Sequence, residues 1–148
     1  MKLEIEINYQ EKCFLLKDYF KKVIAKTIKL GNFKFSGKIN LSLAIVSEKE
    51  IKRINRIYRK KDKITDILSF SDYSKKSAKG GSAFGGKKED VFCELIICLP
   101  YIKKSAKKDK VTLKKEMAYV ISHGVLHCIG FIHSKKMYEI QDKVCQKF

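Results

Sequence analysis

A run of apolar residues near the C-terminus has the spacing of a helix that is buried on nearly every side. Within residues 112–129 the apolar side chains recur at helical intervals and cover most of the helix circumference. Such a helix needs neighbours on several sides, so it must lie at the centre of a domain. It also carries His123 and His127, and the fold must therefore bring polar, chemistry-bearing side chains to a largely buried helix.

The rest of the chain predicts strands and helices that could surround this helix. Alternation or continuous apolar runs predict strands over residues 2–9, 38–46, 65–73 and 91–99. Helical spacing predicts helices over residues 11–30, 47–59 and 134–148, with a basic turn or short helix after Pro100. We therefore predict one small domain spanning residues 1–148, of the α+β (mixed α/β) class. Its roughly four-stranded mixed sheet would carry packed helices, with the histidine-bearing helix buried in the centre.

The charge of the chain predicts a polyanionic partner. Lys and Arg total 33 against 16 acidic residues, a formal net charge of +17, which exceeds what solubility requires. Residues 74–90 combine four glycines with serines and five lysines, so we expect a mobile basic loop there. No stretch reaches the roughly 18 apolar residues of a membrane span, which favours nucleic acid over a membrane. A proteome rich in lysine could account for part of this charge.

Cellular location and redox state are predicted from the N-terminus and the cysteines. Residues 1–10 alternate charged and apolar side chains and have no hydrophobic core of the kind a signal peptide needs, so a cytoplasmic protein is expected. The five cysteines are odd in number and include no C-x-x-C pair. They are expected to be reduced, buried packing residues. We expect the protein to be a monomer.

All three histidines of the chain lie within H-G-V-L-H-C-I-G-F-I-H, from His123 to His133. Two side chains four residues apart share one face of a helix, so His123 and His127 can reach one metal ion. Gly130 permits the positive φ that would turn the chain back and bring His133 to the same point. Three histidines would leave one coordination position open for water, as catalytic zinc sites do. We predict one Zn²⁺ per chain, although another transition metal would also suit these ligands.

Gly124 separates this site from the metallopeptidases that share its spacing. In H-E-x-x-H-x-x-G-x-x-H proteases the residue after the first histidine is the glutamate that serves as general base. Here that residue is Gly124, which argues against ordinary peptide hydrolysis. Histidines satisfied within the core, or a zinc ion that only braces the fold, would explain the same pattern without catalysis.

Two long motifs resemble the YbeY family of bacterial rRNA maturation factors. The histidine run is similar to the family pattern H-G-x-L-H-L-x-G-Y-D-H. Asn55, Tyr58 and Arg59, followed by K-D-K and T-D-I-L-S-F, resemble N-x-x-Y-R-x-K-D-x-P-T-D-V-L-S-F, and C-E-L-I-I-C resembles G-D-I-x-I-C. The chain departs from these patterns at Ile132, where the family usually has aspartate, and at Glu94, where it has a shorter acid.

The resemblance implies a zinc-dependent endoribonuclease, specific for single strands, that acts in rRNA maturation and ribosome quality control. Its substrate would be a 16S-type rRNA precursor, and a ribosomal subunit or assembly factors could be partners. Arg59 would then act with His123 and His127 in catalysis by stabilising charge on the phosphate. From the residues alone, a solvated surface arginine is the more expected interpretation, and only the motif favours a catalytic role for Arg59.

Further residues are assigned to the site from their position in the sequence. Glu116 lies two helical turns before His123 and could orient a ligand, and Asp66 and Glu94 are further candidates for a base or for a group that supports the metal ligands. Residues 74–88 and 103–110 supply lysines for the RNA backbone. Four residues near the end of the second predicted helix are assigned to RNA binding: Arg56, Arg59, Lys61 and Lys63.

Two rival functions use the same residues. A metal-braced rRNA-binding or ribosome-assembly factor would show the same histidines and basic surface with little turnover. A metallopeptidase of altered design would need another carboxylate near the open metal position to replace the glutamate that is absent at Gly124.

Overall fold

The computed structural model describes residues 2–32, 37–73 and 90–148. Its sheet contains β1 (Lys2–Tyr9), β2 (Lys38–Val46), β3 (Ile67–Ser71) and β4 (Val91–Cys98) in the order β1-β2-β4-β3. The first three strands in this order run parallel, while the edge strand β3 is antiparallel to β4. The helices in these ranges are α1 (Lys17–Leu30), α2 (Glu48–Arg59), α3 (Leu99–Asp109), α4 (Leu113–Cys128) and α5 (Lys135–Cys145). The predicted α+β class and four-stranded mixed sheet are confirmed.

The two faces of the sheet are covered unequally. One face presents alternate residues of all four strands to α1, α4 and α5, and this side holds the main core. On the other face α2 covers a smaller cluster that includes Ile51, Ile54 and Ile96. The predicted central helix is α4, nine of whose sixteen residues are buried. Within the described ranges, no helix has the length and apolarity needed to cross a bilayer.

Helix α4 is fixed at both ends by local chemistry. Its N-cap Thr112 accepts a hydrogen bond from the backbone N–H of Lys115 at 3.2 Å. At the other end Gly130 adopts φ +100°, the left-handed conformation that the sequence predicted, and the chain turns away from the helix. His123 and His127 therefore lie in the last turns of a rigid helix, and His133 lies just beyond the turn.

The first helix begins later than predicted, at Lys17 instead of residue 11. The backbone N–H groups of Gln10 and Glu11 both donate to Ile45 O, at 2.9 and 3.1 Å, and this holds the chain beside β2. The Tyr9 hydroxyl donates to Leu15 O at 3.0 Å. Leu15 is thus buried although its segment is not helical. The prediction of a helix from residue 11, which rested on the spacing of apolar residues, is wrong for this segment.

Two other boundaries differ from the prediction. The segment after β4 is an eleven-residue helix, α3, because Pro100 suits a first helical turn while Ile102 and Ala106 pack into the core. Strand β3 is shorter than residues 65–73, since the Asp66 carboxylate accepts from Ile67 N–H and the Ser71 hydroxyl accepts from Tyr73 N–H.

The five cysteines are free, as predicted, and all but Cys13 are buried. Of the predicted basic loop, residues 74–89 lie outside the described residues.

Candidate metal centre and nucleic-acid groove

The three histidines, here called the histidine corner (His123, His127 and His133), converge on one point. Their Nε2 atoms form a triangle with sides of 3.0, 3.0 and 3.3 Å. At Zn–N distances of ~2.0–2.1 Å, nitrogens at the corners of a tetrahedron lie about 3.3 Å apart. The triangle therefore has nearly the size of one face of a tetrahedral metal site.

The partners of the other ring nitrogens define which nitrogen carries the proton. His127 Nδ1 lies 3.0 Å from Phe131 O, and because a carbonyl oxygen only accepts, this Nδ1 is the donor. His123 Nδ1 lies 3.3 Å from Oε1 of Gln141. In both residues the neutral ring then presents an Nε2 lone pair to the centre of the triangle.

These lone pairs provide the test of whether the residues suit a metal ion. Two unprotonated Nε2 atoms 3.0 Å apart cannot hydrogen-bond to each other, and their lone pairs repel. A cation between them removes this repulsion, and metal-ligating histidines usually donate their second ring N–H to an acceptor such as a backbone carbonyl. The donor set fits a divalent transition metal held by the three histidines.

Burial lowers the pKa of His127 below its ordinary value, and the neighbouring His123 lowers it further. The imidazole is thereby kept neutral, as a metal ligand must be.

His133 is the exposed member of the corner, and its ring is nearly parallel to that of Tyr138, with centroids 6.4 Å apart. Ile132, where the family usually has aspartate, is 78% exposed.

Facing the histidine corner is a basic wall formed by Arg59, Lys61 and Lys63. Arg59 is the last residue of α2, and its Nη2 donates to Ser69 O at 3.0 Å. The guanidinium carbon also lies 5.5 Å from the centre of the Phe70 ring, within range of a cation–π contact. The structure therefore holds Arg59 against the edge strand β3, beside the histidines.

The lysines of the basic wall follow a tight turn after α2. Lys60 has φ 55°, a left-handed conformation that ends the helix. Asn55 is buried, and its side-chain amide donates to Lys63 O at 3.0 Å, so it braces the turn from below. Lys61 and Lys63 are exposed on this braced turn.

One open depression of about 270 Å³ joins the two parts. His123 and His127 line it together with the three residues of the basic wall and Asp66. Asp66 contributes the one carboxylate among the described lining residues, and its Oδ1 accepts from Ile67 N–H at 2.7 Å. An extended polyanion could therefore contact His123, His127 and the basic wall at once.

Gly124 has a packing role that sequence reasoning missed. A Cβ placed at this position would lie 2.6 Å from Cδ1 of Ile67 and 3.0 Å from Cδ2 of Leu95. Helix α4 thus approaches the sheet so closely that a larger residue must displace its neighbours. A side chain at position 124, where the peptidases have their glutamate, would point into the packed sheet. A glutamate at this position could therefore not reach the histidine corner as a general base.

Other predicted site residues lie elsewhere. Glu94 is paired with Phe70 across the strands and lies on the sheet face opposite to Leu95, away from α4. Arg56 lines a separate depression with Arg53 and Asp62 on α2 and the following turn. Among the described residues, no hydrogen bond joins Glu116 to a histidine. Burial raises the pKa of its carboxyl, and the nearby acids Asp109 and Asp66 raise it further.

Sequence reasoning missed the two groups that support the histidines. The Phe131 carbonyl leaves no signal in a sequence because every residue has one. Gln141 does leave a signal, since it is a polar residue among Met137, Ile140 and Val144 on the buried side of the amphipathic α5.

Comparisons with known proteins place the chain in a family. Residues 5–148 match the family model described as "Endoribonuclease YbeY". A curated relative of that name from Buchnera aphidicola subsp. Schizaphis graminum is 34% identical over 99% of this chain and 88% of its own length. One from Thermosipho melanesiensis is 32% identical over 74% of each chain. The solution structure of TM1509 from Thermotoga maritima covers 97% of this chain and 88% of its own, with a TM-score of 0.58 and 24% identity, and supports the fold.

Proposed function

The chain belongs to the endoribonuclease YbeY family, and on this premise we propose that it is a zinc-dependent endoribonuclease that cuts single-stranded RNA. Its proposed substrate is the 16S-type rRNA precursor of the cytoplasm, in rRNA maturation and ribosome quality control, where a ribosomal subunit or assembly factors would be partners. The single observation that carries the proposal is the depression in which His123 and His127 face Arg59, Lys61 and Lys63.

His123, His127 and His133 would hold the metal, with Zn²⁺ suited to three imidazole ligands. When bound, such an ion lowers the pKa of water and neutralises charge on a phosphate oxygen. Arg59, restrained by Ser69 O and the Phe70 ring, presents a guanidinium to the same depression and stabilises the extra negative charge of the phosphodiester transition state.

The remaining residues of the depression have two roles, RNA binding and proton transfer. Lys61 and Lys63 are exposed point charges that bind the RNA backbone beside the histidine corner. Asp66 is the carboxylate positioned to accept a proton, in contrast to Glu94 on the other face of the sheet and Glu116 beside Asp109. An unpaired strand can bend its backbone into the depression, which favours single-stranded RNA.

The proposal is tested by cleavage of a labelled single-stranded RNA and of the same RNA paired with its complement. We expect the protein to cut the single strand with Zn²⁺ present, to leave the duplex intact, and to lose activity with a chelator. His127→Ala, purified in the same way, serves as the control for contaminating nucleases. It should be folded by circular dichroism, bind the RNA through the intact basic wall, and not cut it.

Binding without cleavage by the metal-loaded protein would overturn the nuclease assignment and favour an rRNA-binding assembly factor. In cells that lack the protein, 16S-type precursors should accumulate, and the wild-type chain should restore their maturation. Restoration by His127→Ala would likewise show that turnover is not needed.

A further inference from the structure

Gln141 is one of four polar side chains that are buried among the described residues. The others have local roles: Thr27 donates to Val23 O within α1, Ser122 donates to Tyr119 O within α4, and Asn55 braces the turn after α2. Gln141 is fully buried on α5, and its side chain contacts a metal ligand. A buried carboxamide is costly to desolvate, so its two hydrogen bonds indicate what it does.

The two ends of the Gln141 amide have opposite roles. Its Nε2 donates to Tyr119 O at 3.2 Å, and because that carbonyl can only accept, the amide cannot be rotated end for end. Its Oε1 therefore points to His123 Nδ1, 3.3 Å away, and accepts a hydrogen bond from the N–H at that position. With its proton held on Nδ1, His123 presents the Nε2 lone pair to the centre of the histidine corner.

Helix α5 is well suited to hold this amide still. Ser134, the residue after His133, caps the helix by accepting from Met137 N–H at 3.3 Å. Buried Met137 and Val144 then fix the helix on α4 on either side of Gln141. The same helix therefore positions the third histidine at its start and supports the first histidine from its middle.

We propose that Gln141 is a positioning residue that holds His123 in its Nδ1–H tautomer and so prepares the histidine corner for the metal ion. This inference rests on the metal centre of the proposed function but not on RNA cleavage. Support of a ligating histidine through its second nitrogen typically changes metal affinity by about tenfold to a hundredfold.

The test compares Gln141→Leu, Gln141→Glu and the control Thr27→Val in the full chain. Thr27→Val also removes a fully buried polar group and its hydrogen bond, but in α1, away from the histidines. The affinity for Zn²⁺ is measured by competition with a chromophoric chelator. Ring ¹⁵N NMR of the metal-free protein reports the tautomer of His123.

We expect Gln141→Leu to bind Zn²⁺ about tenfold to a hundredfold more weakly and to show mixed His123 tautomers. Gln141→Glu keeps an acceptor at Nδ1 and should recover most of the affinity, although its buried carboxylate lowers the melting temperature. Thr27→Val should lower the melting temperature without changing Zn²⁺ affinity.

Unchanged Zn²⁺ affinity in Gln141→Leu, or equal weakening in Thr27→Val, would overturn the proposal. If Gln141→Leu does not fold, the NMR spectrum of the metal-free wild-type protein still tests the proposal. A His123 ring protonated on Nε2 in that spectrum would also overturn the proposal. A protein that needs Gln141 for metal binding but does not cut RNA would refute the proposed nuclease activity and leave this inference intact.

Discussion

His123 and His127 of the histidine corner face the basic wall across one depression, but the two regions are held in place by different means. Two of the three histidines lie on the buried helix α4, with their second nitrogens directed at Phe131 O and Gln141. The basic wall is exposed, and among contacts between described residues only those of Arg59 restrain one of its side chains. The proposed metal centre is therefore rigid and the proposed RNA-binding surface adaptable, and a change to one should leave the task of the other intact.

Of the variants proposed here, Arg59→Ala should have the largest effect, a loss of cleavage rate without a loss of metal. Loss of a donor that stabilises transition-state charge typically lowers kcat by about 10²–10³. Zn²⁺ content should not change, because Arg59 is not a ligand. Arg59→Lys should restore only part of the rate, since an ammonium lacks the planar fork of a guanidinium.

Arg56→Ala is the matched control, an exposed arginine of the same helix that lines another depression. It should cut RNA at nearly the wild-type rate. Equal losses in Arg56→Ala and Arg59→Ala would show that the arginines act only through general charge, and the distinction made by the structure would fail.

A smaller effect is expected when Lys61 and Lys63 are both replaced by alanine. For single strands the slope of log affinity against log salt concentration changes by about 0.7 for each phosphate that the protein no longer neutralises. The double variant should therefore bind single-stranded RNA with a shallower salt dependence and the same Zn²⁺ content. Filter binding at several salt concentrations measures this slope.

The control for that slope is Lys49→Ala with Lys52→Ala, which removes the same charge from exposed positions of α2 beside Arg56. Its slope should stay close to wild type. A change as large as that of the Lys61 and Lys63 variant would mean that RNA is attracted by the +17 charge of the whole chain and not by the basic wall.

The smallest effect concerns Glu116, which the sequence suggested as a support for the histidines. Burial and Asp109 raise its pKa above 4.5, so the folded state holds this proton more tightly than the unfolded state does. Stability therefore falls as pH rises from 4.5 through the raised pKa, and the charged carboxylate remains a cost at pH 7. The cost is under about 1 kcal/mol because the carboxyl is only partly buried and solvent still screens its charge.

Glu116→Gln should therefore melt slightly higher than wild type at pH 7 and at the same temperature below pH 4.5. Thermal unfolding followed by circular dichroism at both pH values gives the comparison. Weaker Zn²⁺ binding by this variant would instead support the role at the histidines that the sequence suggested.

The features that could be predicted from sequence depend on local spacing. Histidines four residues apart on an apolar helix, followed by a glycine that allows positive φ, predict a convergent site before any tertiary contact is known. Alternating strands and helical spacing likewise predicted the elements near Arg59, and in the structure Ser47 caps α2 by accepting from Glu50 N–H.

The features that could not be predicted depend on contacts between distant segments. Leu15 matched a helical spacing, but backbone hydrogen bonds to Ile45 keep its segment out of α1. Arg56 and Arg59 lie three residues apart in the same basic segment, and the sequence does not show which of them faces the histidines. The packing of α2 against the sheet places them in different depressions. Gln141 lies eighteen residues from the histidine it contacts, so its role required the fold.

The central claim, that three histidines bind one metal ion, is tested most directly by metal analysis of the purified wild-type protein and of His133→Ala. His133 is the exposed ligand beyond the end of α4, so its removal should leave the fold intact. We predict about one Zn²⁺ or similar divalent ion per wild-type chain and nearly none in His133→Ala after dialysis against a weak chelator. Equal metal content in the two proteins would contradict the three-histidine site.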